Sequence, residues 1–317
     1  MALDIDEANT VSSKYFDKTL TQQVYEKCPF WVKLKAKGNI TTDGGTQIQF
    51  PIRYKKQGKT GFVGPRQQVT YEQVETRTSG VLDWKYLFAH AMISWDERVK
   101  NGGKAQIVNI MADKTEEMRQ DMLDVFGTAI HAASPGTNDI SSLPQIIDST
   151  TTYAGIVYTD AGEFVASEDT ATTELVLYGS GSLSYMMNLA TFGPDKPDLI
   201  LTTKDLWSKF ESLIEPQKRY YGDKDSALGK AGFTSLRFHD AEVVADVYTT
   251  AASLYGIDTS KFEIRYHPEF NMKVSKWTPL EQAGYPYAMV KTCPWVGNIL
   301  CRMRKSSFKY TLLDYTI

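Results

Sequence analysis

Residues 104–133 form the longest periodic segment of the chain, and they constrain its shape more than any other feature. Ile107, Val108, Met111, Met118, Met122, Val125, Phe126, Ala129 and Ile130 recur at the 3.6-residue period with charges on the opposite face, between Gly102-Gly103 and Pro135-Gly136. At ~1.5 Å per residue this helix runs ~45 Å, against a radius of gyration of ~20 Å for a compact chain of this length. One helix therefore acts as a spine, and the subunit is expected to be flattened and elongated. Its methionines read as gap-filling core.

The rest of the composition is that of a globular protein: 317 residues, 42% hydrophobic and 23% charged, with enough apolar material for one large domain or two ordinary ones. No run approaches the ~18 apolar residues of a membrane span, and the acidic, polar start from Met1 to Thr10 is unlike a signal peptide, so no membrane is expected and a cytosol-like compartment is. Cys28, Cys293 and Cys301 are odd in number and lack Cys-x-x-Cys spacing, which reads as buried reduced thiols.

Charge is unevenly placed. Residues 120–195 hold ten acids and no Lys or Arg, while the other 241 residues carry 35 basic and 28 acidic groups, a surplus of seven. Opposite fields on one chain favour head-to-tail attraction between copies, or simply form a solvated acidic face.

Along the chain, residues 11–27 read as a helix, with Phe16, Leu20 and Val24 on one face and Pro29 as its stop. The basic stretch Lys33, Lys35, Lys37, Gly38 reads as an exposed link. Ile48, Phe50, Ile52 and Tyr54 alternate, and 69–78 (VTYEQVETRT, including Tyr71) is again strand-like. Between them lies a Gly-rich tip with Lys55, Lys56, Lys59 and Arg66. This is a long basic ribbon; two-stranded ribbons are marginal alone, so it is expected to lie on something else. A strand over 81–94 follows, with Leu82, Trp84, Tyr86 and Phe88 on one face and His90 as a core histidine. Residues 143–158 read as irregular to strand-like and 169–190 as helical. A strand at 197–203 precedes a helix at 204–215, and short strands follow at 236–238, 241–244, 253–257, 262–267, 287–292 and 298–304. The last leads into a second basic run, Arg302, Arg304, Lys305 and Lys309.

Signatures of chemistry are missing. There is no Walker loop, no Gly-x-Gly-x-x-Gly, no Gly-x-Ser-x-Gly elbow and no His-Glu-x-x-His, and no catalytic, cofactor-binding or metal residue is assigned. Gly179-Ser180-Gly181-Ser182 is the nearest approach to a nucleophile loop and reads better as a bend. The four histidines, His90, His131, His239 and His267, are far apart in sequence. Neither basic run interleaves with aromatics as single-strand binders do, so both read as solvated or protein-facing charge.

The order of these parts, an arm, a basic ribbon, a strand, a spine helix, a central α/β module and returning strands, resembles the major capsid proteins of tailed bacteriophages, the Hong Kong 97-type fold. Trp95-Asp96-Glu97-Arg98-Val99-Lys100-Asn101-Gly102-Gly103, Leu143-Pro144-Gln145-Ile146-Ile147-Asp148 and Pro197-Asp198-Leu199-Ile200-Leu201-Thr202-Thr203 look like coat-protein text. The resemblance implies an α+β fold with an N-terminal arm at 1–35, an extended loop at 36–80, a peripheral domain at 81–138 and 284–317 built on the spine, and an axial domain at 139–283. It implies hexamers and pentamers in an icosahedral virion shell around double-stranded DNA, assembled in the host cytoplasm. A portal, decoration proteins and a separate scaffold are further implied partners; with the arm starting so near Met1, either a separate scaffold or chain processing is expected. Lys55, Lys56, Lys59, Arg66, Tyr71, Phe16 and Leu20 are the expected subunit contacts. No cofactor is implied, and no Lys-Asn crosslink is carried over. The alternatives are an encapsulin-type nanocompartment shell, an α/β hydrolase using Ser180 or His267, and a tail or connector component.

Overall fold

The computed structural model describes residues 28–58, 60–69, 71–100, 104–159, 161–170, 174–214, 235–280 and 287–311. The first element, α1 (Pro29–Lys37), opens on a proline, whose missing N–H costs nothing in a first turn, and closes on Gly38 in the left-handed region at φ 73°. It is a core helix. Phe30 meets Phe262 edge-on at 5.7 Å and Trp31 meets Phe126 at 5.5 Å. Its lysines reach outward to acids: Lys33 pairs with Glu242, and Lys37 with Asp198 at 2.9 Å.

β1 (Ile40–Thr42) leads to the ribbon of β2 (Ile48–Arg53) and β3 (Arg77–Leu82), an antiparallel ladder from Ile48↔Leu82 to Arg53↔Arg77. Phe50 lies across Gly80, where a Cβ would stand 2.8 Å from its ring, so glycine sets the close approach of the two strands. β4 (Lys85–Ile93), α2 (Trp95–Lys100) and the spine α3 (Lys104–Ile130) follow. At 27 residues the spine runs ~40 Å. Met111, Met118, Met122, Phe126 and Ile130 are on its buried face, and Phe126 meets Trp295 edge-on at 4.8 Å.

The rest of the chain supplies α4 (Leu143–Ile146), β5 (Ser167–Asp169), α5 (Leu183–Leu189), β6 (Leu199–Thr202), α6 (Lys204–Ile214), β7 (Ser235–Phe238), β8 (Ala241–Ala245) and β9 (Leu254–Ile257). β10 (Phe262–Asn271), β11 (Thr278–Pro279), β12 (Met289–Cys301) and β13 (Phe308–Tyr310) complete the described strands. Two larger sheets result. In one, β12 is flanked by β4 on one side and by β10 and β11 on the other, with β1 parallel to β10 beyond it. The other has the order β5-β13-β9-β6-β8-β7, with β6 and β8 parallel. The main core joins α1, the ribbon base, the spine and the β12 sheet; a second packs α5 and α6 on the six-stranded sheet through Leu183, Met186, Ile200, Phe210, Val243 and Phe308.

Several expectations need correction. Pro29 starts a helix instead of stopping one, and the stretch 33–38, exposed from Lys35 to Gly38 as expected, is the second half of that helix with its Gly38 cap and not a link; the alternating lysines hid the apolar set Phe30, Trp31 and Leu34, which packs into the main core. The second ribbon strand is 77–82, not 69–78, and the ribbon base lies on its own main core through Ile48, Phe50 and Ile52. The expected strand over 81–94 breaks at Asp83-Trp84. That break reverses its phase: Leu82 and Trp84 are buried, whereas Tyr86, Phe88 and His90 are exposed, so His90 is no core residue. Residues 143–158 contain α4, begun by Pro144 with the Ser142 hydroxyl accepting from the Gln145 N–H at 3.3 Å, while helix in 169–190 is confined to Leu183–Leu189. The strands expected at 287–292 and 298–304 are one, β12, which accommodates Pro294 and Gly297 without interruption. The helix expected at 11–27, with Phe16 and Leu20, lies outside the described residues.

Candidate assembly interface

The ribbon ladder is extended one step by the Tyr54 N–H donating to the Thr76 carbonyl at 3.2 Å. From there to the tip, residues 55–75 form no strand among the described residues. Lys55, Lys56 and Arg66 are exposed there; Phe62 is fully open and Tyr71 is 92% exposed. Lys59 lies outside the described residues. Apolar rings held this far into water beside basic groups are costly in an isolated molecule and normal in a contact surface. Lys56 also has an acid within its own chain: the Lys305 ammonium, 2.7 Å from Glu163, and the charge of Lys56 together hold that exposed carboxyl below its ordinary range.

Two further surfaces flank the spine. On the face of β4 turned away from the core, Tyr86, Phe88, His90 and Met92 form an exposed row, with Phe88 and His90 stacked at 6.1 Å, and the Trp95 and Tyr287 rings meet nearby at 5.1 Å. The solvent side of α3 carries Asp113, Glu117, Asp121 and Asp124 at successive turns, all exposed. The acidic middle of the sequence thus begins as a row on the spine.

The second basic run is divided: Arg302 is exposed and Lys305 half-buried, whereas Arg304 and Lys309 face inward. Arg304 is 1% exposed and donates to the carbonyls of Ile146 at 2.6 Å, Asp148 at 2.7 Å and Thr151 at 3.3 Å, while its guanidinium stacks over Tyr153 and Phe164. Burial lowers its pKa. Lys309 reaches Asp148 at 2.9 Å and Glu168 at 2.8 Å. Burial alone would raise the Asp148 carboxyl, but hydrogen bonds from Lys309, Thr150 and Thr151 outweigh it and hold the group well below the carboxylate range. Neither residue is available to a phosphate.

A depressed carboxyl contributes stability above its unfolded pKa and loses it as pH falls through the folded one. Acidification below about pH 4 is therefore expected to destabilise the subunit partly through Asp148. In Asp148→Asn that portion of the acid limb should be absent, which urea midpoints measured across pH will reveal; identical pH slopes in the two proteins would contradict it.

The hydrolase candidates are not brought together. Ser180 sits in the turn before α5, on the six-stranded side, and His267 lies in β10 against Trp84 and Phe270. The serine–histidine contact that does exist, Ser184 Oγ to His239 Nε2 at 3.2 Å, is exposed. A cavity of about 290 Å³ between the end of the spine and β13 is lined by Ser134, Gln145, Thr250, Tyr255 and the Lys309–Asp148 pair, whose charges satisfy each other. No group of three or more His, Cys, Asp or Glu positioned for a metal occurs among the described residues, and no helix there is long and apolar enough to cross a membrane. Cys28, Cys293 and Cys301 are buried thiols outside any disulfide.

Sequence reasoning missed the buried joint at the end of the spine. Asp246 accepts from the Cys28 thiol at 3.7 Å and lies 3.3 Å from His131 Nε2, and the Tyr248 hydroxyl donates to Asp124 at 2.6 Å. Burial and the Asp124 carboxylate push Tyr248 up to about 12. Gly127 makes room for that tyrosine on the helix; a Cβ there would meet its ring at 2.4 Å.

No protein-family model matches the sequence, and no curated protein does. Solved structures do. A chain of the capsid asymmetric unit of cyanophage A-1(L) superposes with a TM-score of 0.61 at 15% identity, covering 87% of this chain and 90% of that one. The capsid of the native GTA particle gives 0.59 at 9% identity over 89% and 90%. The holo-SrpI encapsulin of Synechococcus elongatus PCC 7942 gives 0.52 at 7% identity over 92% and 90%. The chain therefore has the α+β fold of phage capsid proteins, a fold also found in an encapsulin.

Proposed function

We propose that this protein is the major capsid protein of a tailed bacteriophage and that copies of it build the shell of the virion. The observation that carries the reading is the extent of the likeness: capsid chains superpose over nearly nine-tenths of both partners, so the whole subunit, and not a shared module, has the shell architecture. A ribbon tip that exposes rings and basic groups fits a molecule completed by its neighbours.

In this reading the fold is of the Hong Kong 97 type. The ribbon at 36–80 is the extended loop, 81–138 with 284–317 the peripheral domain on the spine, and 139–283 the axial domain around which hexamers and pentamers form. The segment 1–35 is an arm only up to the start of α1. Lys55, Lys56, Lys59 and Arg66 of one copy meet acidic surface of the next, such as the row on α3, with Tyr71, Phe16 and Leu20 as apolar contacts. Portal, scaffold and decoration proteins, assembly in the host cytoplasm and non-specific contact with packaged double-stranded DNA belong to the same proposal.

The encapsulin match favours a second reading, a shell around an enzyme cargo. Negative-stain microscopy of the purified protein tests the shared claim: closed shells are expected, and a stable monomer refutes it. Particles purified from the native source distinguish the cargo, since nuclease-protected DNA is expected inside a phage head and a protein cargo inside a nanocompartment.

A further inference from the structure

The buried joint at the end of the spine has no place for another proton. The start of α1 brings Cys28 to it, the loop after β8 brings Asp246 and Tyr248, and β9 brings Tyr255, whose ring centre is 6.2 Å from that of His131. Tyr248 reaches Asp124 on the spine, and Tyr255 in turn feels the charges of Lys309 and Glu168. The side chains of His131 and Asp246 are 1% and 3% exposed. An ionised carboxylate can only accept, so its contact with His131 assigns the ring proton to Nε2. Nδ1 is then a bare lone pair, buried and without a hydrogen-bond partner among the described residues. Asp246 is fully used: Oδ2 meets the Cys28 thiol and His131, and Oδ1 accepts the Tyr248 N–H at 3.1 Å. Burial and the Asp246 charge push the Cys28 thiol well up, which keeps it a donor.

A proton added to Asp246 removes the charge that these donors face. One added to Nδ1 creates a second buried N–H with nothing to accept it. The carboxylate attracts a charged imidazole, but the cost of burying both charges can exceed that attraction when a donor is left unmatched. The loop after β8 is the part free to respond. It is held by the Asp246 N–H donating to the Thr202 carbonyl at 2.9 Å, the Thr250 hydroxyl donating to the His131 carbonyl at 3.0 Å, and Tyr248 on Asp124. Ala252 at its end sits at φ 56°, a left-handed conformation that a β-carbon disfavours, so the closed loop is strained. Room lies beside it, since Thr250, Ser253 and Tyr255 form part of the wall of the cavity of about 290 Å³.

We propose that His131 and Asp246 form an acid-sensitive latch between the spine and the six-stranded sheet, closed while His131 is neutral and released, with residues 246–252 moving toward the cavity, when the pair takes up a proton. The latch lies within one subunit, so the inference goes beyond the shell reading and does not depend on it. The open form holds one proton more than the closed form. Opening therefore becomes easier as pH falls, by up to ~10-fold for each pH unit. Release frees the spine and the sheet to change their mutual angle, which makes the joint a point at which acid alters the shape of the subunit.

Hydrogen exchange on the full chain tests this from about pH 8 to about pH 5, the range in which histidines change charge. After correction for the intrinsic effect of pH on amides, residues 246–252 are expected to open ~10-fold or more often at the acid end, while β6 and β12 stay protected. His131→Gln keeps an N–H for Asp246 but takes up no proton, and its profile is expected to be flat. Exchange at the His131 ring carbon Cε1, followed by mass spectrometry in the wild-type chain, reports the imidazole titration without any substitution; it is expected to coincide with the opening of 246–252. An opening that does not vary with pH, a folded His131→Gln chain that keeps the wild-type slope, or a His131 that titrates while the loop stays closed overturns the latch. None of these results bears on whether the protein forms shells, which microscopy decides separately.

Discussion

Reversing Lys55, Lys56, Lys59 and Arg66 to Glu is expected to abolish particle formation while the subunit stays folded. Exposed ion pairs contribute only about 0–1 kcal/mol each, so no single one holds a shell together. Reversal does more than delete them. At the proposed contact it would place like charges against the acidic surface of the next copy, at every equivalent position of a closed assembly, so that the penalty recurs with each subunit added. The structure supports a local effect, because Lys55, Lys56 and Arg66 are exposed and none of them belongs to a buried cluster. Lys56 also acts on Glu163 of its own chain, so the pair Lys55→Glu and Arg66→Glu, which spares it, is the cleaner control. Sedimentation and electron microscopy should find soluble subunits without shells, with circular dichroism unchanged. Normal shells from the fourfold variant would remove the electrostatic account of the contact.

The second large effect concerns the fold itself. Arg304→Met is expected to destabilise the subunit by about 3 kcal/mol. The guanidinium fork satisfies three carbonyls in the stretch 146–151, and each buried carbonyl left without a donor costs roughly 1–3 kcal/mol. Part of that loss is offset because a cation no longer has to be buried. Arg304→Lys should rescue little, since an ammonium cannot reproduce the planar fork or its stacking on Tyr153 and Phe164. Urea unfolding of an assembly-blocked variant measures this without interference from the shell. A change below about 0.5 kcal/mol would mean that water replaces the fork without cost.

Elements whose own residues repeat a clear period were legible in the sequence. The spine, the alternation Ile48-Phe50-Ile52 and the strand–helix pair at 199–214 were all expected and found. Periodicity failed where a few residues change its phase or charge masks it. Asp83-Trp84 separates two strands and turns Tyr86 and Phe88 outward, a shift that the apolar text of 81–94 does not reveal. Lysines at alternate positions of α1 obscured a helix whose charged side pairs with Glu242 and Asp198, 209 and 161 residues further along the chain than the lysines they meet. Arg304 and Lys309 read as surface charge because the carbonyls and carboxylates that draw them inside come from 146–168, a match that only the fold creates. Of the expected contact residues, the structure places Lys55, Lys56, Arg66 and Tyr71 on an open surface, and a contact with another molecule, as proposed for them, leaves no periodic pattern in the sequence of one chain.

The position of β12 and β13 bears on how the chain must be made. β12 is flanked on both sides in one sheet, and β13 lies between β5 and β9 in the other. Residues 289–310 thus supply an interior strand to each sheet, so neither can close during translation until that stretch has left the ribosome. Nascent chains would wait with β4 unpaired and with one edge each of β9 and β10 open, the situation in which chaperone holding is most needed and in which a premature stop codon leaves both sheets incomplete.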